Sequence, residues 1–505
     1  MSISGQTLNP ALTVEALRPL YKAAQVRELD RRTIAAGIES FALMQRAASS
    51  AWHSFRSRWP QAKSVTVVCG SGNNGGDGHV LAALAMQAGL KVQRISTRAL
   101  ESLENDVVRA AELASAAGVG FERYREGMAL TGEVIVDALF GTGLSRPVEG
   151  EARAVIDDIN RAGQPVLALD VPSGIAADTG AVQGAAVHAH CTVTFIGDKI
   201  GLHTGDAPGY TGEIDFRALG VKAQAFFDIV PAAWRLDESW LAPAFAPRPR
   251  AGHKGAFGHV LVMGGAPGFG GAALLASQAA ARLGAGKVSL ATAAEHVSAS
   301  LTRCPEVMAR SVTGGADALA FAGMADVIVV GPGMGEGAWG QAVLQAALKT
   351  DAPLIVDADA LNVLAARWPG LSRDNWVLTP HPGEAARLLG CSTAEVQANR
   401  PAAARALQRS RGGIVVLKGA GSLIAGPGGL VVCPFGNPGM ACGGMGDVLS
   451  GMLGTLVAQF DDLELATRLG VMVHALAGDA AAKEHGERGL LASDLASYAR
   501  ILINP

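Results

Sequence analysis

Two glycine-rich segments hold much of what could do chemistry in this chain. The first, "CGSGNNGGDGHV" from Cys69 to Val80, sets Gly70, Gly72 and Gly75 in a G-x-G-x-x-G spacing between an apolar run and an apolar helical stretch. Such spacing fits a turn that binds a nicotinamide dinucleotide, because glycines let backbone amides at a helix start approach a diphosphate. A redox site of that kind also needs a carboxylate roughly 20 residues further on, for the ribose hydroxyls. The next apolar run, "LKVQRIST", offers Arg94 and no carboxylate. Asn73, Asn74 and Asp77 instead surround the glycines with oxygen ligands and acid–base capacity. Asp137 and Asp170 each follow an apolar run. Both therefore fall at the carboxyl ends of expected strands, where open α/β sheets bind ligands. Each could equally cap its turn. An oxygen-only donor set suits a hard cation.

The second segment is "NPGMACGGMGDVLSGML", Asn437 to Leu453. Gly443, Gly444 and Gly446 crowd the start of an apolar helix, whose amides favour anionic oxygens. Asp447 sits in its first turn, placed to accept a hydroxyl proton while those amides stabilise a transferring phosphoryl group. One Asp at a helix start is common for dipole reasons alone, but that leaves the glycine density unexplained. No G-x-x-x-x-G-K-[ST] is present, so a P-loop is not supported. Three further segments accompany it: His253–Ser277 with its glycine turn, "TPHPGE" at Thr379–Glu384, and "VVLKGAGSLIAG" at Val415–Gly426. His381 reads either as a ligand contact or as a loop histidine packed on Pro380 and Pro382. Asp357 and Asp359 either orient magnesium or phosphate, or cap the next turn. His296, His474 and His485 read as structural or solvated.

These residues need a scaffold, and the patterning supplies one. Short apolar runs alternate with amphipathic helical stretches, which argues for mostly parallel sheets covered by helices on both faces. The alternation weakens between about Phe216 and Arg250, in a proline-bearing stretch, and then restarts. Two α/β domains follow, expected at residues 1–230 and 235–505. With 49% hydrophobic and 17% charged residues, both can bury large cores. A net charge of −3 without basic runs gives nucleic acid no footprint. No apolar run of about 18 residues suggests a membrane span. Six scattered cysteines without C-x-x-C spacing and no secretory leader point to the cytoplasm.

Residues Gly72–Gly78, Val136–Leu144 and Leu169–Gly174 resemble the YjeF N-terminal domain, whose activity is NAD(P)H-hydrate epimerase, over about residues 20–225. The resemblance implies a Rossmann-like three-layer sandwich that takes a damaged dinucleotide as substrate. Asn73, Asn74, Gly75, Gly76, Asp77, Gly141, Thr142, Gly143, Leu144, Ser145, Arg146 and Pro147 would contact the hydrated cofactor. Asp170 would be the acid–base carboxylate, and Asn74, Asp137 and Ser173 would hold potassium. Arg146 reads as either a phosphate partner or a solvated loop charge.

The four segments of the second half resemble the YjeF C-terminal domain, an ADP- or ATP-dependent NAD(P)H-hydrate dehydratase of ribokinase-like fold, over about residues 240–500. That implies Lys418, Gly419, Ala420, Gly421, Ser422 and Gly446 for the adenine nucleotide. Ala272, Gly333, His381 and Asp447 would meet the hydrated dinucleotide, with Asp447 as base. The fused layout implies ADP as co-substrate, with magnesium. Ser422 stands where threonine is frequent and Cys442 where serine is common. A homo-oligomer is expected, with a homotetramer as one form. The competing reading is a ribokinase-like small-molecule kinase fused to a non-catalytic Rossmann-like binding domain.

Overall fold

The computed structural model describes residues 17–144 and 146–504. The backbone divides into two compact units, one spanning Pro19–Ala233 and the other built from Trp234 onward together with residues 17–18.

The first unit carries seven parallel strands: β1 (Ser64–Cys69), β2 (Lys91–Ser96), β3 (Glu122–Arg123), β4 (Val134–Ala138), β5 (Val166–Leu169), β6 (Cys191–Phe195) and β7 (Glu213–Arg217). They lie in the order β3-β2-β1-β4-β5-β6-β7. Helices α1 (Ala23–Ala35), α2 (Ser40–Arg58), α3 (Asn73–Gln87) and α4 (Asp106–Ala116) bury Leu29, Ala51, Phe55, Leu81 and Ala110 in one core with Val65, Val67 and Leu167. Helix α5 (Gly150–Ala162) packs Val155, Ile156 and Ile159 with Val68 and Ile135 in a second core. This is the Rossmann-like three-layer sandwich. Central strands covered on both faces read as unbroken apolar runs, as "VLAL" of β5 does. Strand order reverses between β1 and β4, the position where such sheets open a ligand crevice.

The segment "NNGGDG" proves to be helix rather than loop: α3 begins at Asn73, with Gly72 as its N-cap. Glycine lowers helix propensity by about 1 kcal/mol per residue, so packing must account for it. A Cβ on Gly75 would lie 1.9 Å from the Gly70 carbonyl oxygen, and one on Gly78 2.5 Å from the Ala138 Cβ. Two of the glycines therefore let α3 lie flat on β1 and β4. Arg94 is equally structural. It is buried and donates to the Ala111, Val119 and Gly120 carbonyls and to Ser115 Oγ at 2.9–3.3 Å, closing the end of α4.

The second unit contains β8 (His259–Met263), β9 (Lys287–Thr292), β10 (Met308–Ser311), β11 (Val327–Val330), β12 (Leu354–Val356), β13 (Trp376–Leu378), β14 (Ile414–Leu417), β15 (Ser422–Gly426) and β16 (Gly429–Cys433). They neighbour one another in the order β10-β9-β8-β11-β12-β13-β14-β15-β16. Strands β8 to β14 are mutually parallel, and β15 runs antiparallel to both β14 and β16. Helices Gly270–Arg282, Met445–Val457 and Leu463–His485 bury their apolar faces with Val260, Val329, Ile355 and Val416. Strand order again reverses between β8 and β11.

Strands β9, β10 and β15 are not marked by the apolar pattern. Serine and threonine interrupt "KVSLAT", but Ser289 Oγ is satisfied inside the core by the His259 ring at 2.8 Å. Strand β10 is only partly covered, and β15 is five residues long. Among the described residues no helix is long and apolar enough to cross a membrane.

Candidate active sites

In the first unit the crevice at the carboxyl ends of β1 and β4 is a cavity of about 460 Å³. The start of α3 supplies Asn73, Asn74 and Asp77; the loop after β4 supplies Gly141, Thr142, Gly143 and Leu144; the turn after β5 supplies Asp170. Gly75 and Gly76 share the helix but do not line the cavity, Gly75 being turned onto the Gly70 backbone. Arg146 and Pro147 are exposed and outside the lining, and Ser145 lies outside the described residues.

Two further groups enter the cavity region that no motif marks. Asp30 of α1 lines it. Lys199, completely buried, contacts the Asp170 carboxylate through Nζ and also donates to Thr194 Oγ1 at 3.0 Å and Phe195 O at 2.9 Å. A buried ammonium requires such a partner. The Asp170 backbone sits at φ +65°, a left-handed conformation that aspartate tolerates better than most residues. Burial pushes Asp30 up to about 6, with Lys199 opposing and Asp170 adding to the rise. Asp77 is pushed well above the carboxylate range by burial and then by Asp170 and Asp30. The lysine follows an apolar strand in "FIGDK", a faint signal; Asp30 has none beyond its place on an amphipathic helix.

Asp137 is fully buried behind this wall. It accepts from Ser173 Oγ at 2.6 Å, Ser173 N at 2.8 Å and Leu139 N at 3.2 Å, and burial raises it to about 6 against those bonds. Ser173 Oγ in turn accepts from Phe140 N at 2.8 Å. Neither Asp137 nor Ser173 lines the cavity. Asn74 is different: both its side-chain oxygen and its nitrogen are buried without a partner among the described residues. A buried amide oxygen without a partner is an atom that a hard cation would satisfy. Among the described residues, no group of three or more His, Cys, Asp or Glu side chains could hold a metal ion.

In the second unit, Lys418 is the hub. It follows β14 directly, and the hairpin to β15 carries it together with Gly419, Ala420, Gly421 and Ser422. Its Nζ lies 2.7 Å from Asp357 Oδ1, while Ser450 Oγ donates to Asp357 Oδ2 at 2.7 Å. A Cβ on Gly446 would come within 3.1 Å of that Nζ, so the glycine leaves room for the lysine at the start of helix Met445–Val457. Gly419, at φ +136°, makes similar room for the Arg400 guanidinium, 2.8 Å from its Cβ position. Ser422 Oγ donates to the Gly419 carbonyl at 3.0 Å.

Burial opposes ionisation of Asp357, but Lys418, Ser450 and Thr379 hold it below the usual carboxylate range. Asp447 and Glu384 are both pushed up to about 7 by burial, Asp357 adding to the rise and Lys418 opposing it. His381 is a helix N-cap rather than a loop histidine. Its Nδ1 accepts from Gly383 N at 2.9 Å, and its own amide donates to Glu384 Oε2 at 2.8 Å. Burial and then Lys418 lower its pKa, so the ring is neutral at pH 7.

Ala272 and Gly333 meet at the β8/β11 reversal: a Cβ on Gly333, at φ +58°, would lie 3.3 Å from that of Ala272 and 2.3 Å from the Phe269 carbonyl oxygen. Asp359 accepts from Gly335 N at 2.8 Å and so ties a turn. His474 is buried and bonds through Nε2 to the Met445 carbonyl at 3.0 Å, anchoring the helix that carries Asp447.

Comparison with known proteins matches both halves. The pattern of the NAD(P)H-hydrate dehydratase family covers residues 260–500, and that of the YjeF-related protein N-terminus covers residues 40–201. The bifunctional NAD(P)H-hydrate repair enzyme Nnr of Coxiella burnetii is 48% identical over 489 residues, 96% of this chain and 99% of that one. The enzyme of the same name from Escherichia coli is 40% identical over 471 residues, 93% and 90% of the two chains. Among solved structures, the ADP/ATP-dependent NAD(P)H-hydrate dehydratase from Bacillus subtilis, co-crystallised with ATP and Mg2+, is 29% identical. It covers 53% of this chain and 96% of its own, with a TM-score of 0.47.

Proposed function

The chain belongs to the family of bifunctional NAD(P)H-hydrate repair enzymes, and from that premise we propose that its first unit interconverts the R and S epimers of hydrated NADH or NADPH while its second dehydrates the S form. The observation that carries the second half is Asp447: a carboxyl pushed up to about 7 in the first turn of a glycine-led helix, beside Lys418. A base with a pKa near the working pH transfers protons most effectively.

In the reaction we assign, Asp447 takes the proton of the ring hydroxyl and the oxygen attacks the terminal phosphorus of ADP. The phosphoanhydride bond breaks and AMP leaves. The phosphate ester then departs with both C–O electrons, a proton leaves the neighbouring ring carbon, and the dihydronicotinamide double bond returns. Lys418 and the amides around Gly446 sit where they would meet the charge on the transferring group. Lys418, Gly419, Ala420, Gly421 and Ser422 form the nucleotide side of the site; Ala272, Gly333 and His381 form the dinucleotide side. Asp357 is engaged by Lys418 and Ser450, and Asp359 by Gly335; magnesium would be held by the nucleotide phosphates. It would supply charge neutralisation there.

In the first unit Asp170 is the acid–base group. Asn73, Asn74, Asp77 and the loop Gly141–Leu144 hold the hydrate; Gly75 and Gly76 shape the helix start. Asn74, Asp137 and Ser173 are the residues that would hold a potassium ion, which would supply fixed positive charge beside the cavity. The chain works as a homo-oligomer in the cytoplasm.

The test uses separated R and S hydrates with ADP and with ATP, following free phosphate and the absorbance of reduced nicotinamide. Both signals rising on the S form, and on the R form through epimerisation, is the expected result. A stable phosphorylated alcohol instead would make the second unit a small-molecule kinase.

A further inference from the structure

We infer that Asp30, on helix α1 and outside every motif of the chain, is a second proton-transferring residue of the first unit's cavity, working opposite the Lys199-held Asp170. The inference rests on the epimerase reading and deepens it.

The chemistry asks for two groups. The carbon to be inverted carries both a hydroxyl and the ring nitrogen. Hydroxide is a poor leaving group, which is why the dehydratase reaction consumes a phosphoanhydride. Inversion avoids expelling it by opening the C–N bond. A base removes the hydroxyl proton, the O–H electrons form a carbonyl, and the C–N electrons go to nitrogen, which an acid protonates. The aldehyde turns about its C–C bond. Reversal of the same transfers on the other face closes the epimer and restores both groups.

Asp170 can serve only one of these atoms. Lys199 Nζ and Phe195 N both engage its Oδ1, while Oδ2 is the oxygen that lies against Gly141, 3.2 Å from where a Cβ would stand. The cavity holds two other carboxyls, Asp30 and Asp77, and Lys199 neutralises Asp170 by direct contact. Asp77 is buried in the first turns of α3, and burial pushes it above the carboxylate range. Asp30 is half-buried on a different element and faces Arg27, Lys199, Asp77 and Asp170. Its value of about 6 lets it give and take a proton near neutrality. It therefore fits the group that shuttles to and from the ring nitrogen, while Asp170 serves the hydroxyl oxygen.

The experiment measures kcat and KM for R-to-S conversion by the full chain carrying Asp30→Asn, Asp30→Glu or Asp77→Asn, by chromatographic separation of the epimers. Asp30→Asn should lower kcat by roughly 100-fold or more with KM little changed, and Asp30→Glu should recover part of it. Asp77→Asn should act mainly on KM. Wild-type kcat in Asp30→Asn, or a kcat loss that follows Asp77→Asn instead, overturns the assignment. Should Asp30→Asn fail to fold, an Asp30→Glu variant with wild-type unfolding and no activity above an alanine variant overturns it as well. If the wild-type chain does not interconvert the epimers at all, the epimerase reading falls and takes this inference with it.

Discussion

Both units set one lysine against one aspartate near the carboxyl end of a parallel sheet, yet they use the pair differently. In the first, Lys199 holds Asp170, the residue assigned to acid–base work. In the second, Lys418 holds Asp357, and the assigned base, Asp447, stands beside the pair without a direct bond to either. Lys418 helps hold Asp357 below the usual carboxylate range, while burial moves the unbonded Asp447 up to about 7. The first arrangement fixes a base and leaves Asp30 to carry the second proton. The second sets the base itself close to pH 7, where it can be switched by substrate and nucleotide charge.

The largest test of this contrast is Asp447→Asn, expected to lower dehydratase kcat by ~1,000-fold or more while epimerisation continues. Equal loss of both activities would break the separation of the two sites. Asp170→Asn is the mirror experiment: epimerisation should fall by roughly 100- to 1,000-fold, with S-hydrate turnover intact. Next comes Lys199→Met, which removes the partner of the base. Epimerisation should fall by ~100-fold, and Lys199→Arg should not restore it, because a planar guanidinium does not fit a site built around an ammonium.

Smaller effects sharpen the comparison. In Gly75→Ala the new methyl meets a backbone oxygen at 1.9 Å. The first unit should lose about 3 kcal/mol, and calorimetry should show its transition moved down by roughly 6–12 °C. The mildest test is pH. Asp447 must be deprotonated to act as base, so dehydratase kcat/KM should fall tenfold per unit as pH drops below about 7 and level off above it. In Lys418→Met the attraction that lowers Asp447 is gone, so the limb should move to higher pH. A limb that stays in place would show that Lys418 does not act on Asp447.

Much of the site was readable locally. Glycines before a helix start, carboxylates after apolar runs and the "TPHPGE" and "KGAGS" segments depend on backbone geometry over a few residues. Even so, local reading placed "NNGGDG" in a loop, because glycine disfavours helix unless packing requires its lack of a side chain. It also left Asp357, Asp359 and His381 undecided, since a cap and a ligand use the same residue types.

By itself the sequence determined where the motifs lie, that strands and helices alternate, and that two α/β units follow one another. All of these follow from hydrophobic period and from residues whose conformational freedom is special at single positions. Only the tertiary structure decided which charges meet. Lys418 reaches Asp357 across 61 residues and Lys199 reaches Asp170 across 29, while Asp30 arrives from a helix near the start of the chain. Burial and through-space neighbours set whether a carboxyl is ionised, and neither quantity is written in the residues next to it.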